Sequence, residues 1–216
     1  MKVVALVPIK LNSRRVANKN IRNFEGGNPL CTYILDTLLE VDEIDEIYVY
    51  CSDEKIKNYI PQGVKFLKRD ESLDRDQTKI NEVIKSFSQD VNADIYVQTH
   101  ATSPFISAES IGKAIKAIKD EGFDSAFAVT KLQTFMWKNG KPFNYSMNAV
   151  PRTQDLEPLY VETSGFYAYT YDVVNNLERR IGEKPKMIEV ADIEAIDIDE
   201  ESDFDFANLI FKALKK

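Results

Sequence analysis

The sequence has few of the residues that mark several common kinds of site. Its 216 residues include one histidine, two cysteines and eight glycines. It contains neither GxGxxG nor GxxxxGK[ST], so it supports neither a dinucleotide-binding fingerprint nor a P-loop. Cys31 and Cys51 lie in apolar surroundings without the spacing of a zinc site, and we expect two reduced, packed thiols in a cytoplasmic protein.

Long apolar runs and an excess of positive charge are also lacking. The apolar stretch at the N-terminus is too short for a signal peptide, and no segment approaches the ~18 apolar residues of a membrane span. Lys and Arg number 28 against 35 Asp and Glu, which gives a formal charge of −7. General attraction to nucleic acid or to a membrane is therefore not expected, and any basic cluster should serve a local purpose.

What the sequence does contain is an alternation of strand-like and helix-like segments. This pattern is typical of a βαβ fold whose central strands are buried on both faces. We predict one principal domain over residues 1–216. The predicted strands are residues 3–9, 44–52, 64–69, 93–101, 125–131 and 159–170, and the predicted helices are residues 28–41, 78–89, 107–122 and 200–216.

Local signals indicate where some elements begin and end. Asn28 is a candidate cap with Pro29 at the first helical position, and Ser107 and Gly122 are the candidate start and stop of a later helix. Residues 133–160 carry turn residues and aromatics with little periodicity, which indicates an inserted flap. Residues 187–199 are predicted as a strand and a loop.

A dense group of cations follows the first predicted strand. In open α/β sheets, ligands lie outside the carboxyl ends of the strands. The group consists of Lys10, Arg14, Arg15 and Lys19, and the amide and hydroxyl side chains among them are Asn12, Ser13 and Asn20. Such charged donors suit a triphosphate, while the polar residues could hold the loop or contact polar edges. The alternative is an exposed basic turn that is simply solvated.

Five stretches in order resemble the acylneuraminate cytidylyltransferase family, which includes the CMP-sialic acid synthetases and their Kdo, legionaminic and pseudaminic relatives. They are "PIKLNSRRVANKNI", "KRDESLDRDQTK", "THATSPF", "VETSGFYAY" and "IDIDEESDF", and the resemblance covers nearly the whole chain. It implies a three-layer, Rossmann-like nucleotidyltransferase fold of the α/β class. The sheet would be mostly parallel, and a small flap would join two subunits into a homodimer.

The resemblance assigns the first loop to the phosphates of CTP. Asn12, Ser13, Lys19 and Asn20 fall on the family pattern, and Lys10 stands where most relatives have Arg. Lys10 keeps the positive charge without the planar fork of Arg. Arg69 matches an Arg that helps to hold the nucleotide. Its alternative is a solvated side chain paired with Asp70 or Glu71.

The "IDID" motif matches the metal site of the family. Asp197 and Asp199 alternate on what should be a strand end, so both carboxylates can point to one side while Ile196 and Ile198 face the core. Paired carboxylates near a triphosphate suit Mg²⁺. The alternative is that Asp199 caps the last helix and Asp197 is solvated.

Further residues are candidates for binding the second substrate, which the resemblance implies is a sugar acid. His100 takes the place of a Gln in the family's "QPTSPL" segment, which Thr102 and Ser103 continue. His100 could face the sugar acid and change its charge near neutral pH, or it could be a structural histidine. Arg152 could bind the sugar carboxylate or form a surface ion pair, and Gly165 fits the family's "NGAIY" strand.

The reaction implied is transfer of CMP from CTP to the anomeric hydroxyl of a sialic-type nonulosonic acid, with release of pyrophosphate. Lys10, Arg14 and Lys19 would hold the departing pyrophosphate, and Asp199 would hold the metal. Kdo, legionaminic acid, pseudaminic acid or another acidic alcohol are alternative acceptors. A nucleotide-binding homologue without transfer activity is the alternative of a different class.

Overall fold

A computed structural model describes residues 1–13, 15–24 and 27–214. Its centre is a seven-stranded sheet in the order β3-β2-β1-β4-β8-β5-β9. The strands are β1 (Val3–Pro8), β2 (Glu46–Cys51), β3 (Val64–Lys68), β4 (Ile95–Thr99), β5 (Ser125–Leu132), β6 (Trp137–Lys138), β7 (Lys141–Pro142), β8 (Leu159–Thr170) and β9 (Pro185–Glu189). The short strands β6 and β7 form a separate two-stranded sheet.

Most strand pairs are parallel, as predicted. β1 pairs in parallel with β2 and β4, β2 with β3, and β5 with β9. β8 runs antiparallel to both β4 and β5. The central strands are continuous apolar runs because both faces of the sheet are covered, and residues 3–7 of β1 are fully buried. The predicted α/β class is confirmed.

Helices cover both faces of this sheet and give three layers. The helices are α1 (Leu30–Leu39), α2 (Ile80–Asp90), α3 (Ala108–Glu121), α4 (Tyr171–Asn175) and α5 (Glu201–Leu214). Apolar residues of α1 and α3 pack on one face, and those of α2 and α4 pack on the other. No helix in the described part of the chain is long and apolar enough to cross a membrane.

The predicted helix ends are partly right. Ser107 caps α3 by accepting a hydrogen bond from the Ser110 N–H at 3.2 Å, and Gly122 ends that helix with a left-handed φ of 72°. The prediction for α1 was wrong by one residue, because Pro29 occupies the cap position and Leu30 begins the helix. Pro29 has an extended backbone there, so Asn28 lies outside the helix.

The ladder between β5 and β8 is irregular in the middle. Phe127 pairs with Tyr167 and Val129 with Glu162, so β8 carries extra residues between these two pairs. The hydroxyl of Thr163 donates to the Ala128 carbonyl at 3.3 Å and supplies a contact that the ladder has lost.

The predicted flap contains the β6–β7 hairpin and a single 3-10 turn, Thr153–Asp155. Its side chains are largely outside the core. The large apolar side chains exposed within it are Trp137, Phe143, Met147 and Val150.

The segment before α5 differs from its prediction. Residues 196–199 have no regular secondary structure, so the placement of Asp197 and Asp199 on a strand end was wrong. The alternation of side chains is nevertheless present, since Ile198 is fully buried beside Phe24 and Phe204 while Ile196 packs against the same cluster. A hydrogen bond of 2.9 Å from the Ile198 N–H to the Thr102 carbonyl fixes this segment beside the end of β4.

Candidate active site

The loop after β1 is folded back on itself. The side chain of Asn20, which is 8% exposed, donates from Nδ2 to the Lys10 carbonyl at 3.0 Å. This bond joins the two ends of the loop across ten residues. Asn18 takes a left-handed φ of 53° before the 3-10 turn Lys19–Ile21, a conformation that Asn tolerates better than most residues. In its described part, residues 10–13 and 15–21, the loop is therefore held in a defined conformation and is not an open basic turn.

Two cations of this loop reach the "IDID" segment. Lys19, whose side chain is 11% exposed, donates from Nζ to the Ile198 carbonyl and lies 3.6 Å from Asp199 Oδ1. Arg15 Nη2 lies 2.7 Å from the same Asp199 oxygen, and Arg15 Nη1 lies 3.2 Å from Glu200 Oε1. Cations and carboxylates that are 180 or more residues apart thus meet at one point. Arg14 lies outside the described residues.

Asp197 and Asp199 stand in different surroundings. Asp199 is half-exposed, whereas Asp197 is mostly buried and its Oδ1 has no hydrogen-bond partner among the described residues. Burial raises the pKa of the Asp197 carboxyl; a hydrogen bond from Thr102 opposes that shift, and the negative charge of Asp199 adds to it. A buried carboxylate oxygen without a donor is what a cation would satisfy.

The alternative for these two residues does not hold. Asp203, not Asp199, accepts from the backbone N–H groups that precede α5, at 2.9 Å from Asp199 N and 2.7 Å from Glu200 N. Asp197 is partly buried, and its Oδ1 is shielded from solvent. Among the described residues no group of three or more His, Cys, Asp or Glu side chains could hold a metal. The pair would therefore supply two ligands, and Mg²⁺ would take the rest from phosphate oxygens and water, which is its habit.

Lys10 contacts residues on the opposite side of the end of β1 from the "IDID" segment. Its Nζ donates to the Asp74 carbonyl and lies 3.5 Å from Asp76 Oδ1. The side chain therefore lies on the loop that follows β3.

Arg69 is a buried cation and not a solvated one. Its side chain is 4% exposed and forms an ion pair with Asp74, so the alternative pairing with Asp70 or Glu71 was wrong. Nη2 also donates to the Ile9 carbonyl at 3.2 Å. Arg69 Nε is buried without a partner among the described residues. Arg69 thus supports the start of the loop that carries Lys10.

Two open cavities lie along this edge, beside the carboxyl ends of β2 and β3. One, of about 530 Å³, is lined by Asn12, Ser52, Asp53, Glu54, Lys68, Glu71 and Asp74. The other, of about 690 Å³, is lined by Tyr50, Lys68, Arg69, Asp70, Glu71, Ser86 and Asp90. The exposed side chain of Asn12 and the buried one of Arg69 therefore face neighbouring spaces. Ser13 is partly buried in the loop between them and the "IDID" segment.

His100 lies at the end of β4, mostly buried. Its Nε2 is 2.6 Å from Gln98 Nε2. Burial lowers the pKa of His100 to about 4, and positive Arg180 and Lys19 act in the same direction, against Asp199. Burial therefore favours a neutral imidazole at pH 7, which argues against the change of charge near neutral pH that the sequence suggested.

The remaining candidate residues, Ser103, Gly165 and Arg152, differ in their surroundings. Ser103 is 1% exposed and closes a turn by donating from its backbone to the His100 carbonyl at 3.2 Å. Gly165 is buried, and a Cβ there would lie 2.4 Å from Ile106 Cδ1, so close packing alone explains the glycine. Arg152 is 73% exposed and pairs with Asp155 in the flap, with Nε 2.7 Å from Oδ2. The structure does not bring Arg152 to the cluster around Asp199.

Several residues of the site had no signal in the sequence. Asp74 binds the side chains of both Arg69 and Ser52. Arg180 reaches Gln98 from 82 residues away. These contacts depend on which strands become neighbours, and no local spacing reports that.

Sequence comparison places the chain among known enzymes. A profile of the family described as cytidylyltransferase matches residues 4–209. N-acylneuraminate cytidylyltransferase A of Danio rerio is 26% identical over 175 residues, a match that covers 76% of this chain but 40% of the fish protein. Pseudaminic acid cytidylyltransferase of Campylobacter jejuni is 24% identical, with 98% of this chain and 97% of the relative covered.

Solved structures show the same fold. A CMP:2-keto-3-deoxy-manno-octonic acid synthetase complexed with CTP superposes with a TM-score of 0.75 at 15% identity, covering 99% of this chain and 100% of the other. A 4-diphosphocytidyl-2C-methyl-D-erythritol synthase from Anaerococcus prevotii gives a TM-score of 0.70 at 15% identity, with 98% and 96% covered. The family model covers nearly the whole chain, so this chain belongs to the cytidylyltransferase family, and the resemblance that the five motifs predicted is confirmed.

Proposed function

We propose that this protein transfers CMP from CTP to the anomeric hydroxyl of a sialic-type nonulosonic acid. The hydroxyl oxygen attacks the α-phosphorus of CTP in line and forms a new P–O bond as its proton passes to solvent. The bond between the α-phosphorus and the oxygen that bridges to the β-phosphorus breaks and releases pyrophosphate. The observation that carries this proposal is the meeting of Arg15 and Lys19 with Asp199 beside the buried, unpartnered oxygen of Asp197. Cations suited to bind phosphates and carboxylates suited to bind a metal therefore lie close together.

The chain's own residues would supply position and charge. Lys19 is held by the Ile198 carbonyl and is nearly buried, so it can meet a phosphate without a large loss of side-chain freedom. Arg15 is exposed and paired with two carboxylates, from which it could turn to a phosphate oxygen. Lys10, which contacts Asp74 and Asp76 in this structure, and Arg14 are also proposed to hold pyrophosphate. Asn12, Ser13, Asn20 and Arg69 are proposed to shape the nucleotide site.

Asp197 and Asp199 would hold Mg²⁺. When bound, the ion would neutralise oxygens of the triphosphate. Asp197 fits this role through its buried oxygen, and Asp199 through its position among the cations that a bound ion would partly replace. A divalent ion would also lower the pKa of Asp197 by opposing the effect of its burial.

The acceptor would lie beside the end of β4. His100, Thr102, Ser103 and Gly165 are the proposed residues of that side, and Arg152 is proposed to bind the sugar carboxylate. Pseudaminic acid is the acceptor to test first among the alternatives. The alignment with the relative named for it covers almost the full length of both proteins.

A homodimer through the flap is also proposed. The exposed apolar side chains of that segment support it, with Met147 67% and Trp137 57% exposed, since such groups are often covered in an assembly. Light scattering on the purified chain measures its mass, and a monomer at micromolar concentration would reject the proposal.

A screen of pyrophosphate release tests the function. CTP is offered with a panel of acidic sugars in the presence of Mg²⁺, and ATP, GTP and UTP serve as nucleotide controls. We expect release with CTP and one nonulosonic acid. Release with Kdo alone would reject the sialic-type acceptor. Binding of CTP without release on any sugar would favour a homologue that has lost transfer activity.

A further inference from the structure

The guanidinium of Arg180 is held on three sides beside the acceptor end of β4. It lies 3.6 Å from the ring centroid of Tyr167, close enough for a cation–π contact. Nη1 is 3.3 Å from Gln98 Oε1, and Nη2 is 3.7 Å from Glu162 Oε1. The Tyr167 hydroxyl in turn donates to Glu162. Arg180 is thus fixed at one end of a line of contacts that runs through Gln98 to His100.

The direction of the hydrogen bonds along this line follows from which groups can accept. A guanidinium has donors only, so the atom of Gln98 that faces Arg180 is the carbonyl oxygen. The amide nitrogen of Gln98 then faces His100, 2.6 Å from its Nε2. An amide nitrogen only donates, so Nε2 must accept. A neutral imidazole with an accepting Nε2 carries its proton on Nδ1.

We propose that Arg180 is a positioning residue that acts through Gln98 and holds His100 as the neutral tautomer protonated at Nδ1. His100 then offers the acceptor a hydrogen-bond donor and no charge. The group it would meet is an oxygen of the sugar acid, either a carboxylate or a hydroxyl oxygen. This last step rests on the proposed function, whereas the tautomer does not.

The surroundings favour the same state. Gln98 is fully buried, so water does not compete for its amide. The charged groups that act on His100 are Arg180, Lys19 and Asp199, and burial together with the two cations disfavours a second proton on the ring. A Gln at this position, as in the resembling family, would also be a neutral donor.

Nuclear magnetic resonance on the full-length, ¹⁵N-labelled protein tests the tautomer. The chain has one histidine, so a long-range ¹H–¹⁵N spectrum contains the signals of one imidazole ring. We expect a protonated Nδ1 and an unprotonated Nε2, unchanged between about pH 8 and pH 6, since the unperturbed pKa is about 6.5. Protonation at Nε2, or a titration near pH 6.5, would overturn the proposal.

Three variants distinguish a specific effect of Arg180 on the His100 tautomer from a general effect of substitution in this region. Gln98→Glu replaces the donor with an acceptor, so the ring proton should move to Nε2 and the pKa of His100 should rise. Arg180→Gln removes the group that orients Gln98, and we expect a mixture of both tautomers. Arg179→Gln is the matched control, because Arg179 is the adjacent Arg and pairs with Glu183 at the surface. If the spectra of Gln98→Glu and Arg180→Gln were identical to that of the wild type, Arg180 and Gln98 would not set the tautomer of His100.

Kinetics test the link to the acceptor. Loss of one aligned hydrogen bond should raise the KM for the sugar about 10-fold in Gln98→Glu and Arg180→Gln, with the KM for CTP unchanged. Equal increases in both KM values would reject a specific role on the acceptor side. The spectrum does not depend on turnover, so a correct tautomer in a protein that releases no pyrophosphate would count against the proposed function alone.

Discussion

Two carboxylates two positions apart have distinct tasks in this account. Asp197 presents a buried oxygen without a donor, and Asp199 is a half-exposed group in contact with Arg15 and Lys19. Asp199 is not the cap of α5, because Glu200 directly precedes that helix and Asp203, in its first turn, accepts from the N–H groups of Asp199 and Glu200. The difference between them comes from burial, and it makes each residue testable without damage to the core.

Asp199→Asn should lower turnover by ~100-fold or more, because it removes a charge that would hold the metal. The melting temperature should change little, since Asp199 is half-exposed and fills no core volume. Glu200→Gln is the matched control: it removes the other carboxylate bound to Arg15 and should retain most of the rate. Retention of half the wild-type rate by Asp199→Asn at saturating Mg²⁺ would reject the metal assignment.

His100 should make stability depend on pH below neutrality. The ring titrates near pH 4 in the folded protein and near about pH 6.5 in the unfolded chain. Between these values the unfolded chain binds more protons, so stability is full above about pH 6.5 and is lost as the pH falls toward 4. Denaturation in urea at several pH values should show a shallower pH dependence for His100→Gln than for the wild type. Parallel curves would contradict the buried, neutral ring.

At the scale of elements, the site depends on how two irregular segments lie against the sheet. The loop after β1 is closed by Asn20, and residues 196–199 are fixed to the end of β4 by the bond from Ile198 to Thr102. Lys19 joins the two segments. A change in either segment should therefore alter the nucleotide site before it alters the fold.

Lys19→Ala should raise the KM for CTP much more than the KM for the sugar. It removes a cation from the predicted triphosphate site and the donor that holds the Ile198 carbonyl. Lys113→Ala, which removes an exposed Lys paired with Glu109 on α3, is the control. Steady-state kinetics with each substrate varied in turn decide the point. If only the sugar dependence changed, the placement of Lys19 would be wrong.

Gly165→Ala should destabilise the protein by about 1–3 kcal/mol through overpacking. The new Cβ would lie 2.4 Å from Ile106 Cδ1. Ile106→Val deletes that atom, so the double variant should recover part of the loss, although Ile→Val alone typically costs about 0.5–1.5 kcal/mol. Urea denaturation of the four proteins gives the coupling. Strict additivity would mean that the glycine is required for another reason, such as a contact with the acceptor.

At the scale of the whole molecule, the fold was largely predictable and the site only in part. Periodicity located the longer strands and the four longer helices because the sheet is covered on both faces and these helices are amphipathic, but it did not indicate α4 or the β6–β7 hairpin. The motifs indicated Asp197, Asp199 and Lys19. Three features of the site were not predictable, because they arise where segments far apart in sequence meet. They are the burial of Asp197, the hydrogen bond from Arg180 to Gln98 and the ion pair between Asp74 and Arg69.

The position of β8 shows the same limit. It lies between β4 and β5 and runs antiparallel to both, although nothing in its alternating pattern distinguishes this place from an edge. That position brings Glu162 and Tyr167 next to Arg180. The proposed acceptor side of the site thus depends on strand order, whereas the proposed nucleotide side follows a local motif.

Formation of a CMP-sugar is the direct measure of the proposed function. The full-length protein is incubated with CTP, Mg²⁺ and a panel that includes a sialic acid, pseudaminic acid, legionaminic acid and Kdo, and the products are analysed by mass spectrometry together with pyrophosphate. We expect one CMP-linked nonulosonic acid in equal amount to the pyrophosphate, and ~100-fold less of both products from Asp199→Asn over the same time. Hydrolysis of CTP without a linked sugar, or equal product from Asp199→Asn, would reject the proposed function.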